Sequence, residues 1–107
     1  MLPPRLERLP SRPLATGGIV HEATTRGARL LGLAFLDPIP YDHGLWLPDC
    51  RSVHTFGMRF ELDVAFLDER GRLLRLERRV SRRRILICRR AFGVLEARAG
   101  HPELFVP

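Results

Sequence analysis

Residues 60–80, "FELDVAFLDERGRLLRLERRV", decide the fold. Phe60, Leu62, Val64 and Phe66 recur at every second position. They therefore line one face of an extended strand, whose side chains point alternately to either side. "DERG" follows, and Gly71 supplies the positive φ that closes a four-residue hairpin loop, with Asp68 as a turn residue. In the return run Leu74, Leu76 and Val80 share one face, while Arg75, Glu77 and Arg79 share the other. Arg78 falls on the apolar face, so the strand is expected to bulge there or to place Arg78 at a rim.

Around this hairpin the signals are shorter. Residues 1–16, rich in proline, read as an irregular N-terminal arm or an edge-covering segment, and 17–107 as a single β-rich domain. "GGIVHEA" (17–23) reads as a strand. Thr24 or Thr25 then caps a short helix that carries Leu30, Leu31 and Leu33 inward. "LWLP" (45–48) is a brief strand, "SRRR" a charged turn and "ILIC" (85–88) a short buried strand. "AFGVLEARAG" (91–100) is a further strand, and "HPELFVP" starts a helix at Pro102 that stops early. This order predicts an α+β, mainly β domain: a small barrel-like antiparallel sheet with one short N-terminal helix.

The bulk numbers agree with one soluble domain. The chain has 107 residues, of which 45% are hydrophobic and 28% charged. No run approaches the ~18 apolar residues of a membrane-spanning helix. The N-terminal "MLPPRLERLPSRP" lacks the continuous apolar core of a signal peptide, so a cytoplasmic location is expected. There Cys50 and Cys88, which form no CxxC pair, are expected to be reduced thiols. All 18 basic residues are arginine, a bias that a GC-rich genome produces by itself. Their distribution says more. Residues 70–90 hold ten arginines and one acid, whereas the rest of the chain holds eight arginines and eleven acids.

Five collinear motifs carry a family resemblance: "GLA" (32–34), "HGLWLP" (43–48), "HTFGM" (54–58), "LDVAFLDERGRLL" (62–74) and "VLEARAG" (94–100). In this series the chain resembles domain-of-unknown-function family 192, a family of small bacterial and archaeal β-rich domains. The resemblance spans roughly residues 17–100. It implies a compact, barrel-like β domain and brings no established activity. Alanine stands where the family has the Met of its "GLM". The arginine run at Arg82–Arg84 replaces a proline-bearing loop, and the family's C-terminal helix and last strand are cut short. Many relatives carry a signal or lipid anchor that this N-terminus does not resemble.

Candidate chemistry concentrates in "CRSVHTFGMRFELD" (50–63). Cys50, His54 and Met58, four residues apart, are soft or borderline metal ligands. In an extended segment, however, about 13 Å separates neighbours at that spacing, so chelation needs a sharp bend at Gly57. Nucleophilic catalysis would pair Cys50 with His54 or His43, oriented by Asp63 or Asp49, but no oxyanion-type glycine turn accompanies Cys50. Asp63 either faces solvent or caps a nearby loop. No metal, cofactor or phosphate-cradling loop is read from the chain. If a ligand site exists, it is expected where His43, Trp46, Cys50, His54, Met58, Arg59 and Asp63 meet. There Arg59 supplies fixed positive charge and Trp46 an apolar wall. A second candidate is anionic: Arg78, Arg79, Arg82, Arg83, Arg84, Arg89 and Arg90 suit a weak, salt-sensitive phosphate-bearing or acidic partner, including nucleic acid. The reading therefore favours a non-enzymatic binding or accessory module. A metal- or Cys-dependent enzyme and an anion-binding protein are its alternatives.

Overall fold

The computed structural model describes residues 2–106. Its hairpin, β5 (Leu62–Leu67) and β6 (Leu73–Val80), forms, and Leu62, Val64 and Phe66 share the core face as expected. The return strand differs: Leu76 lies opposite Ala65 on one face, while Val80 lies opposite Leu62 on the other, beyond a register slip. The other strands are β1 (Ser11–Pro13), β2 (Ile19–Glu22), β3 (His43–Pro48), β4 (Ser52–His54), β7 (Ile85–Ile87) and β8 (Gly93–Arg98). Two helices, α1 (Pro4–Glu7) and α2 (Arg26–Leu31), and a terminal 3-10 turn (Pro102–Leu104) complete the elements. Thr25 caps α2, its side chain accepting from the Ala28 N–H at 3.0 Å.

Six strands make one open sheet in the order β1-β2-β3-β8-β5-β6, and β4 and β7 form a separate two-stranded ribbon. The sheet is mixed, because β2 and β3 run parallel while the other neighbours are antiparallel. The mainly-β expectation holds, but the sheet does not close: β1 and β6 are free edges, so the barrel likeness is loose. The Arg78 anomaly is a bulge. The β5–β6 register slips between Leu62↔Val80 and Val64↔Glu77, and Arg79 takes φ 51°.

Cross-strand register sorts the side chains into two layers. Leu45, Glu96 and Val64 lie opposite one another on one face, and Trp46, Leu95 and Ala65 on the other. The first face packs under α1, α2 and the ribbon in a core that includes Leu6, Leu33, Ile39, Leu45, Leu62, Phe66 and Val94. On the second face Val20, Ala65, Leu95 and Ala97 meet Phe105 and Val106 from the chain end. β8 is thus covered on both sides. One helix-region expectation changes: Leu33 is buried as expected, but Leu30 points outward. "ILIC" is also not a buried strand, since only Leu86 of β7 faces the core while Ile85 and Ile87 are exposed.

Candidate ligand site

The residues singled out from sequence do not meet at one place. Trp46 stands on the second face, its ring packed over Gly93, where a Cβ would come within 2.2 Å of the indole. There it walls a cleft of about 370 Å³ shared with Leu67, Leu95, Phe92 and Phe105. His43 is half-buried on the first face, its Nδ1 2.8 Å from His21 Nε2. Burial, then the neighbouring His43, hold the His21 pKa below 6.5.

Cys50 Sγ contacts the Ser52 carbonyl at 3.0 Å, and Met58 is buried in the first core. Arg59 is exposed and pairs with Asp37 at 3.0 Å. Asp63 is the loop cap that its position allowed: buried, it accepts from the N–H groups of Arg79 (3.0 Å) and Gly100 (3.1 Å). Among the described residues no three His, Cys, Asp or Glu side chains come together as a metal-ligand set. In the anionic candidate, Arg78 and Arg79 approach Asp63 and Glu61 at 3.9 and 3.8 Å. Among the described residues no carboxylate lies within 4.0 Å of Arg82, Arg83, Arg84, Arg89 or Arg90.

One sequence-predicted residue, His54, does line a polar cavity, together with an acid that sequence reasoning missed. At the end of β4 its Nε2 lies 3.1 Å from the Leu30 carbonyl, near the end of α2. A carbonyl can only accept, so Nε2 carries the proton and the neutral ring presents Nδ1 as an acceptor. That Nδ1 is buried and has no partner. Glu96 projects from β8 into the same cavity, which is about 40 Å³ and is also lined by Arg29, Leu31, Gly32, Leu47 and Val53. The carboxyl accepts a hydrogen bond from the Leu33 backbone, yet Oε1 is buried without a partner. Burial raises its pKa to about 7, against the weaker opposing pull of the Leu33 N–H. Gly32 makes room for it: at φ 56°, a Cβ there would sit 2.7 Å from Oε1.

The Glu96–Gly32 contact joins two of the sequence motifs that carry the family resemblance, "VLEARAG" and "GLA". The profile of the DUF192 family, described as an uncharacterised ACR, matches residues 17–104. The chain belongs to this family. No curated protein matches it. Two solved structures share its fold. A Novosphingobium aromaticivorans protein of unknown function is 18% identical, with a TM-score of 0.70, covering 91% of this chain and 77% of its own. A Sinorhizobium meliloti protein named "putative transcription regulator" is 23% identical, with a TM-score of 0.71, covering 91% and 84%. At these identities the likeness to the two structures is one of fold. Among the described residues of this DUF192 chain, no helix is long and apolar enough to cross a membrane.

Proposed function

We propose that this DUF192 protein is a non-enzymatic binding module whose ligand places a hydrogen-bond-donating head group between Glu96 and His54. The observation that carries this reading is that Glu96 and His54, each with an unpartnered buried atom (Oε1 and Nδ1), line one cavity. Unmet buried polar groups cost about 1–3 kcal/mol each, so a ligand that satisfies both gains what the free protein forgoes. His54 Nδ1 accepts, and so does an ionised Glu96; the complement is a group with two donors, such as an amide or an ammonium. A cavity of about 40 Å³ exceeds the ~10–15 Å³ that one water needs and suits a head group of a few atoms.

Cys50, the nucleophile of the enzyme alternative, is directed at the Ser52 carbonyl and does not line this cavity. The name of the Sinorhizobium neighbour suggests DNA. The longest α-helix among the described residues, α2, has six residues and spans about 9 Å, too short to read a major groove as recognition helices do.

Titration of isotope-labelled protein with acetamide and with methylammonium tests the proposal. Amide shifts confined to Leu31–Leu33 and the His54 region, lost in Glu96→Ala, are expected. No response, or one unchanged in Glu96→Ala and His54→Phe, overturns it.

A further inference from the structure

The mouth of the cavity lies within a surface that the ligand reading does not explain. Leu30, whose carbonyl faces His54, is 72% exposed. Phe56 lies beside the His54 ring, centroids 6.1 Å apart, and is 47% exposed. Ile85 pairs with His54 and Ile87 with Ser52 across the ribbon, which places both isoleucines on its outer face, opposite the buried Val53 and Leu86. Phe35 completes the group. Its N–H donates to the Gly57 carbonyl at 2.8 Å, and its ring lies so close over Gly57 that a Cβ there would come within 2.6 Å. Phe35 also takes φ 66°, a conformation that costs a bulky residue about 1–3 kcal/mol. The fold accepts strain to hold this ring half out in solvent.

Beside the apolar group runs the Arg82–Arg84 loop. Buried Thr55 fastens it there, donating to the Ser81 carbonyl at 2.7 Å and accepting from the Arg84 N–H at 2.8 Å. Thr55 sits between His54 and Phe56 in the chain, so the backbone of the arginine loop runs beside the apolar residues. Among the described residues, no carboxylate lies within ion-pair distance of these arginines.

We propose that this face, formed by α2, the β4–β7 ribbon and the Arg82–Arg84 loop, docks on an anionic lipid bilayer. Five exposed apolar side chains supply shallow insertion, and unpaired arginines supply attraction to the phosphates and acidic head groups. Nucleic acid matches the charge but not the side chains. Leu30, Ile85 and Ile87 are aliphatic and offer no stacking platform, whereas hydrocarbon accepts all five. An acidic protein helix needs a groove, while these residues protrude.

Co-sedimentation of the full chain with vesicles tests the proposal, comparing phosphatidylcholine alone with phosphatidylcholine containing one third phosphatidylserine. Binding to the anionic vesicles and little to the neutral ones is expected. Each arginine near such a surface contributes about a five-fold factor, so joint replacement of Arg82, Arg83 and Arg84 by Gln should weaken binding on the order of 100-fold. Ile85→Ser with Ile87→Ser keeps the charge and should weaken it about ten-fold through lost apolar burial. Phe56→Ser repeats that test outside the ribbon strands, and a thermal melt of each variant verifies its fold. The proposal fails if the chain does not sediment with anionic vesicles. It fails equally if folded apolar variants bind as tightly as the parent, or if an oligonucleotide of equal phosphate content displaces the vesicles; the face is then a simple polyanion patch.

Discussion

Asp63 and Glu96 sit on neighbouring central strands, and each keeps only a few per cent of its surface exposed (4% and 3%). They face opposite sides of the sheet. Asp63 is met by two backbone N–H donors and approached by the Arg78 guanidinium, so its charge is absorbed by the bulge and the turn that it joins. Glu96 has one backbone donor and a buried oxygen with none. The two acids show that burial alone does not mark a site. Unmet hydrogen-bonding capacity does, because a folded chain ordinarily satisfies its buried polar groups and leaves one open only where something else supports it.

The largest expected effect breaks the satisfied acid. Asp63→Ala removes two hydrogen bonds from the Arg79 and Gly100 N–H groups to a buried carboxylate, each worth about 1.5–3 kcal/mol, and should cost about 4 kcal/mol in all. Urea unfolding would show a lower midpoint at unchanged slope. A loss below about 1 kcal/mol would mean that the bulge and the Gly100 turn hold without the carboxylate.

The next effect concerns the unsatisfied acid and has the opposite character. The folded pKa of Glu96 is raised from 4.5 to about 7. Its contribution to stability is therefore fully present below pH 4.5 and is lost as pH rises to and through about 7. By linkage that loss is on the order of 3 kcal/mol. Glu96→Gln should flatten this slope and match or exceed the parent above pH 7. The quantity to measure is the difference between the two proteins. It cancels His21, whose lowered pKa acts in reverse: its contribution is present above pH 6.5 and is lost as pH falls. Parallel pH profiles would show that Glu96 is not held protonated by its surroundings.

The contrast between the acids also marks where sequence reading stops. Asp63 sits in the strongest pattern of the chain, and alternation placed it on the face away from Phe66, as a solvent-facing residue or a cap on a nearby loop. The Arg78 bulge and the Thr25 cap were legible for the same reason, since both are local. Glu96 lies between Leu95 and Ala97, and alternation alone turns such a residue outward. It is buried because β8 runs between β3 and β5, a non-consecutive order that covers both faces and that no local pattern records. The same gap separated Trp46 from His54, which share a stretch of sequence but lie on different sides of the sheet. "ILIC" reads as core until β7 is seen to pair only with β4, in a ribbon with one unpacked face.

The smallest expected effect sharpens the comparison most. His54→Phe keeps a planar ring at the end of β4 but removes Nδ1 and the contact with the Leu30 carbonyl. A single hydrogen bond at a half-exposed position is worth about 1 kcal/mol, and the phenyl ring recovers part of that by packing, so stability should fall by less than this. The pKa of Glu96 should stay near 7, because burial raises it and the Leu33 backbone tempers it, with no contribution from His54. Carboxyl carbon shifts of Glu96 followed through a pH titration give the answer. A midpoint that moves by more than about one unit would mean that acid and imidazole share a proton directly. An unchanged midpoint, together with loss of the response to acetamide, would mean that the cavity is built from two independent acceptors. Asp63 offers no such test, since both of its hydrogen bonds end on the backbone.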